Sequence, residues 1–242
     1  MIEGKVGIVT GASKGIGFAI TKKLLSQGAK VYAISRTIGL LSSLDEGLKT
    51  KLRIIEQDVT DFGATKELFQ SIKREGEGLD FLVNNAGIVS YELISMIDFT
   101  HFNSMLQTNI TSVIQYSQLA YRLMSRNKKG SIVNISSLVS TRGAAGQAAY
   151  SASKGAVNSF TKSASKEFAA YKIRVNALAP GMVGTDRFKG ILEEKFSEKI
   201  HSIGFSRLAE PDEIADACLF LIGDSSQYIT GQIIELDGST TL

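Results

Sequence analysis

The sequence predicts a doubly wound α/β fold: one largely parallel sheet with helices on both faces. Two observations carry that prediction. Short apolar runs rich in Val and Ile recur along the chain, and longer segments with helical spacing separate them. Such alternation marks repeated βα units, whose crossovers lay helices over the sheet. No Pro/Gly/Ser-rich linker, charge block, short repeat or low-complexity tract divides the 242 residues, so one domain is expected over 1–242.

In chain order, the first strand is read in KVGIVT, although Gly7 interrupts it, and a helix over 15–27 follows the glycine-rich turn. AKVYAIS and LRIIEQD give the second and third strands, apolar enough for burial on both faces, and 61–75 gives the next helix. LDFLVNN is the fourth strand, followed by helical spacing over 99–126; GSIVNISS is the fifth, followed by 150–170. One face of 150–170 is mostly Ala, Ser and Gly, so it suits close approach to another helix, within the chain or in a second subunit. IRVNALA is the sixth strand, 211–222 the last helix and QIIELDG the last strand. Pro180 and Pro211, the only prolines, fall at element boundaries, where a missing N–H does least harm. The amphipathic segment 186–207 follows a strand end and is punctuated by Gly184, Gly190 and Gly204, so it reads as a substrate lid.

Composition excludes several classes of function. Apolar residues at 43% and charged residues at 21% describe an ordinary globular chain. The net charge of +3 comes from scattered Lys and Arg with no basic arm or stripe, so nucleic acid is not an expected partner. No apolar run reaches the ~18 residues of a membrane span, and the N-terminus enters a strand pattern without a signal-peptide layout. Cys218 is the only cysteine, which rules out an internal disulfide and fits a reducing, cytoplasmic setting. With His101 and His201 isolated, no metal site is expected.

The motifs point to a dinucleotide. In VTGASKGIGFAI, Gly11, Gly15 and Gly17 lie between strand and helix, with Ser13 and Ile16 in the same turn. Glycines there allow a tight turn and close approach of backbone to pyrophosphate, while the helix N-terminus supplies N–H donors. The spacing G-x-x-x-G-x-G differs from both the common dinucleotide fingerprint and the Walker A loop. At the end of the second strand, where a carboxylate would bind the ribose of NAD, this chain has Ser35 and Arg36. Arg36, helped by Lys14, suits the 2′-phosphate of NADPH, the expected cofactor. Asp58 and Val59 at the third strand end, and Asn85, Ala86 and Gly87 at the fourth, supply further walls of the same crevice. Tyr150 and Lys154 lie four apart on one helical face. A phenol beside an ammonium that stabilises phenolate can serve as a general acid.

Taken together, TGASKGIG, NNAG, Asn109 in LQTNITS, Ser137 in NISSLVS, YSASK and PGMVGT resemble, in order and spacing, the classical short-chain dehydrogenase/reductase family. The resemblance covers essentially the whole chain. It implies a Rossmann-type sheet of seven strands in the order 3-2-1-4-5-6-7 and commonly a homotetramer. It further implies that Tyr150 protonates a substrate carbonyl, that Lys154 supports Tyr150 and holds the nicotinamide ribose, and that Ser137 bonds the carbonyl oxygen. Asn109 would fix backbone and a proton-relaying water, while Pro180, Gly181, Val183 and Thr185 would cover the nicotinamide. The run FSRLAEPDEIADACLFLIGDSSQYITGQIIELDGS resembles family members that reduce 3-oxoacyl thioesters on an acyl carrier protein. The same run resembles sugar, polyol and secondary-alcohol dehydrogenases, and the ending DGSTTL departs from the reductase pattern. A small or carrier-bound carbonyl compound is therefore the expected substrate, and a nucleotide-binding regulator without turnover the remote alternative. Lys128 and Lys129, with Lys172 near Tyr171, are candidate docking residues for an acidic carrier.

Overall fold

A computed structural model describes residues 2–185 and 197–241. All seven strands pair in parallel in the order β3-β2-β1-β4-β5-β6-β7. They are β1 (Val6–Thr10), β2 (Lys30–Ser35), β3 (Leu52–Glu56), β4 (Phe81–Asn84), β5 (Gly130–Ile135), β6 (Ile173–Pro180) and β7 (Ile233–Leu236). The order reverses between β1 and β4, and an open sheet of this kind forms a crevice beyond its carboxyl ends at that point.

Helices cover both faces. On one, α1 (Gly15–Ser26) packs against α8 (Pro211–Ile222) through Leu24, Leu25, Ile214 and Leu221. On the other, α3 (Phe62–Glu75), α5 (Ser112–Asn127) and α7 (Ala148–Phe168) bury Phe69, Tyr116, Leu119 and Phe168. Local chemistry sets their ends: the Asp61 carboxylate caps α3 by accepting from Ala64 N–H at 2.9 Å, and Gly76 closes it in the left-handed region. Pro211 opens α8 inside a capping box of Glu210 and Glu213.

Gly7 does not break β1. A Cβ there would lie 2.1 Å from the Phe81 ring of β4, so the glycine is the space that ring occupies. Gly7→Ala is therefore expected to destabilise the protein by about 2–3 kcal/mol through overpacking, with Phe81→Leu on the same chain recovering part of the loss. Urea unfolding of the single and double variants checks this; equal stability of Gly7→Ala and the parent would refute it.

The long helix expected over 99–126 is interrupted. It is α4 (Phe99–Leu106), then a π turn (Gln107–Thr111), then α5. One wide turn leaves the hydrophobic spacing nearly intact, which is why periodicity did not reveal it, and such turns gather at functional sites. Short pieces also escaped the sequence reading: 3-10 turns at Gly39–Ser43 and Ile94–Met96, and the single-turn helices α2 (Glu46–Lys49) and α6 (Val139–Arg142). Of the lid expected at 186–207, residues 186–196 lie outside the described residues; Ser197–Ser202 forms a 3-10 helix.

Asn84 and Asn134 are register partners at the carboxyl ends of β4 and β5. Asn84 Nδ2 donates to Asn134 Oδ1 at 2.9 Å and Ser117 Oγ at 3.1 Å, while Asn134 Nδ2 donates to Thr161 Oγ1 at 2.9 Å. Buried polar groups persist where they are paired. This chain of bonds fastens α5 and α7 to the strand ends that border the crevice.

Candidate active site

A crevice of about 640 Å³ opens beyond the carboxyl ends of the strands. It is lined by the glycine loop, the ends of β2, β4, β5 and β6, and α7. All of the expected cofactor and catalytic positions except Asn109 appear on that wall: Gly11, Ser13, Lys14, Gly15, Ile16 and Gly17 in the loop, then Ser35, Arg36, Asp58 and Val59. Beside them stand Asn85, Ala86, Gly87, Ser137, Tyr150 and Lys154, with Pro180, Gly181, Val183 and Thr185 on the far side.

The loop fits a dinucleotide phosphate on two counts. No side chain caps α1, whose N-cap is Lys14, so its first N–H groups are left for a ligand. The turn is also held too tightly for any larger residue: a Cβ on Gly17 would sit 2.2 Å from the Gly11 carbonyl oxygen and 2.4 Å from Asn85 Nδ2. Asn85 Nδ2 donates to the carbonyls of Thr10 and Gly11 at 3.0 and 3.1 Å. Thr10 Oγ1 returns the link by accepting from the N–H groups of Asn85 and Ala86 at 3.0 and 3.1 Å. Thr10 was not singled out from sequence; its signal is a hydroxyl at the last strand position before the glycines.

At the β2 end of the crevice, Ser35 Oγ donates to the Thr37 carbonyl at 2.6 Å and shapes the turn that exposes Arg36. Asp58 Oδ1 accepts from Thr60 N–H at 2.9 Å and Thr60 Oγ1 at 2.8 Å. Burial alone pushes the Asp58 carboxyl up, but those two hydrogen bonds and the nearby Arg36 charge bring it below its ordinary value. The carboxylate therefore spends two bonds on its own turn.

At the opposite end, Lys154 is 4% exposed, and its Nζ donates to the Ile135 carbonyl at 2.7 Å. Burial lowers its pKa from 10.5 to about 8, so the ammonium form still prevails at neutral pH. No carboxylate among the described residues pairs with it. Asn109, buried in the π turn, is wired to both sides of the site. It accepts from Ile88 N–H at 2.8 Å and donates to the Ile88 carbonyl at 2.8 Å and to Ser153 Oγ at 3.0 Å. Ser153 Oγ in turn donates to the Tyr150 carbonyl at 2.7 Å. Gly87 lies against both partners: a Cβ there would stand 3.3 Å from Asn109 Oδ1 and 3.4 Å from Lys154 Nζ. Asn109 thus sits between the Ile88 backbone and α7 without lining the crevice, while Ser137, Tyr150 and Lys154 face it.

Thr185 arches toward the glycine loop, its methyl 3.1 Å from where a Gly15 Cβ would be. Gln147, Met182, Tyr91 and Thr240 also line the crevice; they come from loops and the tail, for which periodicity gives no signal. One set of expectations is corrected. Lys128 and Lys129 precede β5 and Lys172 precedes β6, so they sit at the amino ends of strands whose carboxyl ends face the crevice. Six residues of β5 span about 20 Å, which removes these lysines from the site entrance. Among the described residues no three metal-ligating side chains cluster, and no helix is long and apolar enough to cross a membrane.

A family model described as enoyl-(acyl carrier protein) reductase matches residues 11–241. The 3-oxoacyl-[acyl-carrier-protein] reductase FabG of Vibrio harveyi is 35% identical over 237 residues, covering 98% of this chain and 97% of that protein. FabG of Escherichia coli K12 is 34% identical over 236 residues, with the same shares of 98% and 97%. Among solved structures, an NAD+-bound xylitol dehydrogenase superposes with a TM-score of 0.91 at 29% identity, over 98% of this chain and 99% of that one. A short-chain type dehydrogenase/reductase from Mycobacterium ulcerans gives 0.92 at 26% identity, over 98% and 90%.

Proposed function

The chain belongs to the short-chain dehydrogenase/reductase family, and on that premise we propose that it is an NADPH-dependent ketoreductase acting on a 3-oxoacyl thioester carried by acyl carrier protein. The observation that carries the reading is the convergence of Ser137, Tyr150 and Lys154 on the wall that also bears the glycine loop. The loop and the uncapped N-terminus of α1 would hold the pyrophosphate, Arg36 and Lys14 the 2′-phosphate, and Lys154 the nicotinamide ribose. Pro180, Gly181, Val183 and Thr185 would cover the nicotinamide. When bound, NADPH supplies the hydride that turns the carbonyl carbon into a carbinol.

The protein's own groups manage charge and protons. Ser137 and Tyr150 direct hydroxyl donors at the carbonyl oxygen, where negative charge develops. Tyr150 gives that oxygen its proton, and the buried Lys154 ammonium stabilises the phenolate left behind. Asn109 holds the Ile88 backbone against α7, so that the groups on both sides keep their separation.

The two FabG relatives favour the thioester, whereas the xylitol dehydrogenase neighbour favours a second reading, a polyol or secondary-alcohol dehydrogenase. A panel of acetoacetyl-CoA, sugars and cyclic ketones, run with NADPH and NADH in parallel, separates them. Turnover of acetoacetyl-CoA with NADPH is expected; reduction of a sugar or cyclic ketone without thioester reduction would replace the substrate assignment. Arg36→Leu should raise the KM for NADPH about 10–100-fold and leave that for NADH nearly unchanged, as befits one charge-assisted contact to phosphate. An equal effect on both cofactors would remove Arg36 from the 2′-phosphate site. The same reading takes a homotetramer as the assembly, to be measured by sedimentation, and a cytoplasmic setting, consistent with one buried thiol at Cys218.

A further inference from the structure

Arg142 has no role in the chemistry above, yet it joins parts of the chain distant in sequence. It closes α6, the single turn that begins two residues after Ser137, and Ser137's own carbonyl accepts from Ser140 N–H in that turn at 3.0 Å. Its guanidinium takes three acceptors. Nη2 meets Glu235 Oε2 at 2.6 Å and Asp237 Oδ2 at 3.0 Å, and Nη1 donates to the Thr240 carbonyl at 2.6 Å. Thr141, the neighbouring residue, donates to the other Glu235 oxygen at 2.6 Å.

On its other edge, the tail is stitched to the segment after the 3-10 helix. Gly204 N–H donates to Ser239 O at 3.2 Å, Phe205 N–H to Gly238 O at 3.0 Å and Thr241 N–H to Ser202 O at 2.8 Å. Ser239 is held at φ +62°, a conformation that persists only where surrounding bonds over-determine it. Thr240, 1% exposed, is part of the crevice wall. Isolated surface ion pairs contribute little, but this is a three-acceptor fork, and its Asp237 partner is only 13% exposed.

We propose that Arg142 is a positioning residue: it fastens the tail at Thr240 to the Ser137 segment and so fixes the wall against which the substrate beside the carbonyl packs. The inference rests on the ketoreductase reading and assigns part of the substrate end of that site. Glycine-loop contacts do not pass through this clasp, so its loss should act on substrate and spare the cofactor.

The test uses the full chain, Arg142→Met, Arg142→Lys and Glu235→Gln. Kinetics with acetoacetyl-CoA and NADPH, NADPH titration by fluorescence, and amide hydrogen exchange over 138–142 and 238–241 are read for each. Arg142→Met should raise the KM for acetoacetyl-CoA about tenfold, keep kcat within about threefold and NADPH affinity within about twofold, and speed exchange in both segments. Arg142→Lys should recover part of the KM. An unchanged KM, or a raised KM accompanied by equal losses of kcat and NADPH affinity, would overturn the proposal, because the role would then be absent or merely structural. If Arg142→Met does not fold, Glu235→Gln reads the same quantities with the fork weakened but retained. Should the parent protein reduce no carbonyl compound, the ketoreductase reading fails by itself; exchange then decides the clasp, and unaltered protection over 238–241 refutes it.

Discussion

Tyr150→Phe is expected to lower turnover about 10³-fold or more while NADPH binding stays within about twofold, because the ring is kept and the hydroxyl that carries the transferable proton is lost. The ring is half-buried at the start of α7, where its carbonyl is fastened through Ser153 to Asn109, so the substitution leaves the backbone bonds in place. Tyr91 is the other phenol on the crevice wall, but it is 43% exposed and lies on the loop after β4. Tyr91→Phe is the control and should keep most of the activity. Steady-state rates and fluorescence titration of the two variants check the assignment. If both phenylalanine variants match the parent, Tyr150 is not the acid; if the parent binds NADPH and turns over nothing, the regulator reading takes its place.

Lys154→Met should abolish turnover and yet make the protein more stable at neutral pH. Burial holds the Lys154 pKa near 8, against 10.5 when exposed. Between those values the unfolded chain binds more protons than the folded one, so folding becomes more favourable as pH rises through that window. Below pH 8 the folded protein carries the whole penalty, about 3 kcal/mol for a shift of this size. Methionine removes the penalty but leaves the Ile135 carbonyl without its donor, which costs about 1 kcal/mol, for a net gain near 2 kcal/mol at pH 7. The gap between variant and parent should shrink between pH 8 and pH 10.5. Urea unfolding at pH 7 and 10 measures it; a less stable variant, or a gap independent of pH, would show that burial of the ammonium is not the cost supposed. A stability gain joined to lost activity is the expected sign of a strained functional group.

Elements with local signals were the most legible. For α3, Asp61 and Gly76 mark the ends, and for α8 Pro211 marks the start; the predicted and observed ranges agree within a residue. The strands could be read because burial on both faces leaves near-continuous apolar runs. The π turn was not legible, since one widened turn hardly disturbs a hydrophobic face, and it was recognisable only as the place where Asn109 turns toward Ile88 and Ser153. Lys128 and Lys129 precede β5 and Lys172 precedes β6, so strand direction places them at the amino ends of those strands, away from the carboxyl ends that face the crevice.

By itself the sequence determined the fold class, the glycine turn, the chemical identity of the groups at each strand end, and the placement of Tyr150 and Lys154 one turn apart on a single helix. Those features depend on neighbours a few residues apart, where backbone geometry and side-chain volume act directly. Only the tertiary structure decided that Lys154 is buried without a carboxylate, that Asn109 links the Ile88 backbone to Ser153 of α7, and that the tail at Thr240 is clasped by Arg142. Each of these depends on groups brought together from distant parts of the chain, and burial and electrostatic strength are properties of that assembled surrounding.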